Sequence, residues 1–167
     1  MSIPAVDAQY TQLIKHLYSL YPNASFIGCS TSGEISGTNV IDNSIVATAI
    51  KFESTSVKSA YTTVADKDDS FNAGKKLAAL FDHENLKHLF VLSEGVNING
   101  DELVDGIKEI LPKNINVTGG LSGDSDRFEK TVVLTNGVVS ERIVSAVGFY
   151  SDKLKVGFGS LGGWDSF

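Results

Sequence analysis

The sequence is short of the residues that build specialised chemistry. Cysteine occurs once, at Cys29. A single thiol allows no intramolecular disulfide and no cysteine-based metal cluster, and such sparing use suits a reducing compartment, with the cytoplasm as the expected location. Positive charge is also in deficit: 14 Lys and Arg stand against 20 Asp and Glu, for a formal net charge of -6. The basic residues are scattered, so neither nucleic acid nor an anionic membrane surface is an expected partner. No apolar run approaches the ~20 residues of a membrane-spanning helix. The opening MSIPAVDAQY lacks the basic-then-apolar order of a signal peptide. Proline is rare, and no linker-like or low-complexity stretch divides the chain.

What is present is an ordinary globular composition. With 167 residues and 42% hydrophobic side chains, the chain can bury one core, so residues 1–167 are read as one domain. A helix is expected over 7–20, with Asp7 as its cap and Tyr10, Leu13, Ile14, Leu17, Tyr18 and Tyr21 as its apolar stripe; Pro22 stops it. SFIGCS at 25–30 reads as a short strand. SIVATAIKF at 44–52 and SVKSAYTTV at 56–64 read as a strand pair. A second helix is expected from Asp68 or Asp69 to about Asp82, and HLFVLS at 88–93 as a buried central strand. Asn99, three positions before Glu102, reads as a near capping box for a third helix that Pro112 ends. Further strands are expected at 115–119, 131–136, 142–150 and 154–160, with TNG at 135–137 as a hairpin turn. The fold class is α/β or α+β, with mixed sheets and flanking helices.

The two halves resemble one another. Leu13, Ile14, Leu17, Leu20 and Pro22 recur in the same order as Leu103, Val104, Ile107, Ile110 and Pro112. A short strand and a glycine-rich turn follow each proline: GCSTSGE at 28–34 and GGLSGD at 119–124. IVATA at 45–49 then resembles IVSAV at 143–147. An internally duplicated αβ unit is the expectation. Its second copy opens with the strand HLFVLS and its first has no counterpart, which implies a missing first strand and an open sheet edge that favours a homodimer.

The strand-helix-strand order over 88–120 makes its two strands parallel, so SEGVN at 93–97 and the second turn share the carboxyl edge of the sheet, where ligands of α/β folds collect. Cys29, Ser30, Thr31, Ser32 and Glu34 of the first turn, with Gly119, Gly120, Ser122, Asp124 and Arg127 around the second, are the candidate ligand-binding residues. Hydroxyls and carboxylates suit an ammonium group, while Arg127 and glycine-exposed N–H groups suit a carboxylate, as in a small zwitterion. The same residues also make ordinary turns. Neither turn is a nucleotide motif. Cys29 has no recognisable base beside it in the sequence, and His16, His83 and His88 have no metal-ligand spacing; an axial haem ligand stays open for each. Trp164 either covers a sheet end or marks the approach to a further domain.

GCSTSGEI at 28–35, VTGGLSGDSDRFEKTVVL at 117–134 and GFGSLGGW at 157–164 resemble the FIST N-terminal domain family. The resemblance implies a non-catalytic bacterial sensory module that binds a small ligand such as an amino acid. It also implies coupling to a FIST C-terminal domain or a signalling output protein, and haem-based nitric oxide sensing in some members. A hydrolase acting through Cys29 or a turn serine, and an assembly module, are the rival readings.

Overall fold

The computed structural model describes residues 8–42 and 44–159. Asp7, the side chain of Tyr10, residue 160 and Trp164 lie outside the described residues.

Among the described residues, three α-helices and two principal sheets make up the architecture. Helix α1 (Ala8–Leu20) leads to strand β1 (Ile27–Cys29), and a hairpin of β2 (Glu34–Ser36) and β3 (Asn39–Ile41) follows. Strand β4 (Ser56–Thr63), helix α2 (Ser70–Ala78), strand β5 (Leu86–Ser93), helix α3 (Gly100–Ile110) and strand β6 (Asn116–Leu121) come next. The chain then forms β7 (Val133–Thr135), β8 (Val138–Ser140) and β9 (Ile143–Tyr150). The main sheet has the order β4-β9-β5-β6, in which β5 and β6 are parallel and the other pairs antiparallel. The smaller sheet is antiparallel, in the order β1-β7-β8. A mixed-sheet α/β fold with flanking helices is therefore observed.

The helices α2 and α3 pack on one face of the main sheet. Leu77, Ala78, Leu89, Ile107, Val144 and Ala146 are fully buried there. Each fully buried Leu or Ile contributes about 1.5–3 kcal/mol. The two helices approach closely through paired glycines. A Cβ on Gly74 would lie 2.3 Å from the Leu103 carbonyl oxygen, and one on Gly106 would lie 2.0 Å from that of Phe71. Their starts are also tied together. Asn99 caps α3 by accepting from the N–H groups of Asp101 and Glu102, while its own N–H donates to Ser70 Oγ at 2.9 Å. The donor that Glu102 would satisfy in a capping box is thus taken by the other helix.

The small sheet lies on the opposite face. Ala60 packs toward the helices, so its neighbour Ser59 points away, and Ser59 Oγ accepts from Asn136 Nδ2 at 2.6 Å. Asn136 and Gly137 both have positive φ, 43° and 82°, as the expected TNG hairpin turn requires. Asn136 Oδ1 further accepts from the Phe26 N–H. The helix α1 covers this side with Ile14 against Val132 and Leu134, and only part of its expected stripe is buried; Leu13 and Tyr21 are exposed.

Three expectations are corrected. The segment 44–52 forms no ladder, and β4 pairs with β9 along its whole length instead. That segment is stretched between two packing anchors, Ile45 in the α1 cluster and Phe52 edge-on to Phe149. Residues 154–159 are likewise not a strand; Ser151 Oγ accepts from the N–H groups of Lys153 and Leu154 and turns the chain there. Helix α2 ends at Ala78, because Leu80 and Phe81 donate to Leu77 and Ala78 in a tighter i to i+3 turn that still buries Phe81. Among the described residues the duplication is not reproduced at strand level: IVATA has no ladder, whereas IVSAV opens β9 and is buried.

The glycine contact generates a stability prediction. Gly74→Ala and Gly106→Ala each destabilise the fold by about 3 kcal/mol in urea titration. Gly120→Ala, where a Cβ meets nothing within 4 Å, changes stability by less than about 0.5 kcal/mol.

Candidate functional site at the joined turns

The two glycine-rich turns meet. The first leaves β1 at Cys29 and the second leaves β6 at Leu121. Ser30 joins them. Its N–H donates to the Val132 carbonyl at 2.9 Å, its Oγ accepts from the Val132 N–H at 3.0 Å, and its carbonyl accepts from the Gly123 N–H at 2.9 Å. Gly123 permits this approach, because a Cβ there would lie 2.6 Å from Ser32 Oγ. Ser122 anchors the second turn to the end of β5: both its N–H and its hydroxyl donate to the Ser93 carbonyl, at 2.8 and 2.9 Å.

Each turn is braced by a carboxylate. Thr31 Oγ1 donates to Glu34 Oε1 at 2.8 Å, and Glu34 is buried. Asp124 is also buried. Its Oδ1 accepts from Nε and one terminal nitrogen of Arg127, and its Oδ2 accepts from the N–H groups of Glu129 and Lys130. The Arg127 hydrogen bond, assisted by those two amides, holds the Asp124 carboxyl below its ordinary value against the opposing effect of burial. The Arg127 side chain remains 46% exposed, so the pair forms a fixed rim with a solvent-facing cation.

The ten predicted residues therefore differ in role. Ser30, Ser122, Glu34 and Asp124 are buried and engaged within the protein, whereas Ser32, Gly119, Gly120 and Arg127 are exposed and Cys29 and Thr31 are half-buried. Burial pushes the Cys29 thiol above its usual value, which disfavours the thiolate. Two residues of this corner were missed by sequence reasoning. Glu94, fully buried, accepts from the N–H groups of Val96 and Asn97 at 2.9 and 2.7 Å, and Thr131 Oγ1 accepts from the Gly95 N–H at 2.8 Å. An acid directly after a central strand is the signal that points to Glu94. Thr131 carries no such local signal.

A haem does not fit the cavity beside His88. His16 is exposed on α1. His88 sits among aromatic side chains, but the cavity it lines is about 240 Å³. That is below even the range of about 300–1,000 Å³ that drug-sized ligands occupy. Among the described residues, no cluster of three or more His, Cys, Asp or Glu is placed to hold a metal ion.

The Asp124 shift sets a pH dependence. Its folded pKa lies below the ordinary 3.8, so the stability it supplies is complete above that value and is lost as pH falls through the folded pKa. Asp124→Ala strands Arg127 and two amides and costs about 2–3 kcal/mol at pH 7. Acid titration of both proteins checks this: the gap between their melting temperatures closes as pH drops below 3.8.

Among the described residues, no helix is long and apolar enough to cross a membrane. No curated protein matches the chain. Compared with known families, residues 2–167 match the FIST N domain. The match spans the turn regions built above and nearly all of the sequence, and the chain accordingly belongs to the FIST N domain family, a sensory domain of signal transduction proteins.

Proposed function

We propose that the joined turns receive a small polar ligand, with an amino acid as the class, and that this chain passes the binding event to a signalling partner. The observation that carries the reading is the direct contact of the two turns through Ser30 and Gly123. That contact gathers exposed donors of different character on one rim. Asp124 uses one edge of the Arg127 guanidinium, leaving the remaining N–H groups to meet a ligand carboxylate. The exposed backbone at Gly120, where a Cβ would meet nothing within 4 Å, is open to the approach of a ligand. Ser32, exposed beside them, adds a hydroxyl whose lone pairs suit a ligand ammonium.

In this reading the domain is non-catalytic and works in the cytoplasm. The half-buried thiol of Cys29 serves packing rather than attack. The ligand transmits by differential affinity: it binds better to one docking arrangement of a following domain or output protein than to another. The turn formed by Ser122, which joins β6 to Ser93 of β5, links the rim directly to the central strand.

Thermal-shift and calorimetric titration with the twenty amino acids, on this chain and on a longer protein containing its following domain, test the reading. At least one amino acid stabilises the protein. Arg127→Ala weakens that ligand by about 10–100-fold, the loss expected for a charge-assisted hydrogen bond. Gly120→Val leaves the melting temperature within about 2 °C but abolishes the ligand shift, since the site and not the fold is obstructed. Absence of stabilisation by every amino acid in both proteins would sink the reading.

A further inference from the structure

The main sheet carries a cavity toward the opposite end of β5 from the joined turns. Leu89 and Val91 belong to the helix-side core, so His88 and Phe90 face the other way. Phe149 of β9 stands opposite His88 in the ladder and shares that face. Phe52, Leu154 and Val156 close over them from the two segments that form no ladder. These six residues line a cavity of about 240 Å³ whose walls are almost wholly carbon.

The polar side chain of that lining is His88. It is 5% exposed. Its Nε2 lies 2.8 Å from Thr118 Oγ1, and its Nδ1 is buried with no hydrogen-bond partner among the described residues. A buried nitrogen without a partner carries its full desolvation cost. Phenylalanine at this position would pack against Phe149 without that cost but would lose the hydrogen bond with Thr118 Oγ1. A recurring explanation for such a group is a ligand that completes its hydrogen bonding.

We propose that this cavity binds a small uncharged phenol, with its ring against Phe52, Phe90 and Phe149 and its hydroxyl hydrogen-bonded to His88 Nδ1. Three observations select that class. The size is right for one ring with a substituent: apolar cavities of about 150 Å³ already admit benzene. Phe52 and Phe149 meet edge-on, with ring centroids 5.7 Å apart, and aromatic walls of this kind accept a further ring in stacked or edge-on contact. The lining holds no carboxylate, ammonium or guanidinium, so a charged ligand would arrive unpaired. Burial also lowers the His88 pKa from its ordinary 6.5, leaving the ring neutral at pH 7 with one N–H and one lone pair. The Thr118 hydroxyl either donates to Nε2, which leaves Nδ1 a donor, or accepts from Nε2, which leaves Nδ1 an acceptor. A hydroxyl satisfies both cases; a bare hydrocarbon satisfies neither.

The test uses the 15N-labelled 167-residue chain titrated with phenol, with backbone amides and imidazole nitrogens followed by NMR. Expected are saturable shifts at the six lining residues, movement of the His88 Nδ1 resonance, and about fivefold weaker binding of toluene, the cost of one hydrogen bond. In His88→Phe, phenol and toluene bind alike. Val156 is 36% exposed at the rim, so Val156→Trp fills the cavity without disturbing the core and removes binding of both. Equal affinities of the unaltered chain for phenol and toluene overturn the proposal. So do shifts confined to other residues, undiminished binding by Val156→Trp, or no saturable binding of phenol. Should His88→Phe fail to fold, the phenol–toluene comparison and Val156→Trp decide the matter alone.

Discussion

Ser30 is the residue on which the arrangement of the functional corner depends. One small side chain and its own peptide groups contact both Val132 and Gly123, and in doing so join the end of β1 to the segment after β6. Ser30 is 2% exposed, so these bonds form away from competing water. Together with the Asn136–Ser59 hydrogen bond farther along, they give the meeting of the small and main sheets a direction that apolar contacts alone do not supply. The glycine at 123 is the necessary complement, because any side chain there would push the two turns apart.

The same economy appears on the helix side. Gly74 and Gly106 let two helix backbones approach, and Ser70 bridges the starts of both helices. With the helices packed on that face, the His88 cavity lies on the other, toward the end of β5 away from the joined turns. The carboxylates near the turns are mostly braces. Asp124 and Glu94 each accept from backbone N–H groups, which shapes loops and aims neighbouring groups rather than presenting charge to solvent.

Legibility in the sequence followed the range of the interactions. All three helices announced themselves, because the apolar period, the Asn99 cap and the terminating prolines act over a few residues. The Asn136-Gly137 turn was equally local. The parallel β5-α3-β6 unit followed from a connection rule with a strong handed preference. The segments 44–52 and 154–159 were not legible, since β-rich composition states a capacity for pairing and the partner is chosen elsewhere in the chain. At the site, residue types pointed to the two turns but could not separate ligand-facing groups from internal braces. Ser32 and Ser30 look alike in sequence; their exposure differs because only Ser30 meets Val132.

The sequence by itself determined the local pieces: where helices begin and stop, which turn needs positive φ, and which two glycine-rich segments carry the family resemblance. Only the tertiary structure decided that those segments touch, that Asp124 is occupied by Arg127 and two amides, and that an imidazole with one unpartnered nitrogen lies beneath segments 44–52 and 154–159. The division has a physical reason. Capping, periodicity and turn chemistry are settled between near neighbours, whereas contact of Ser30 with Gly123 and Val132 depends on how two sheets pack across the whole chain.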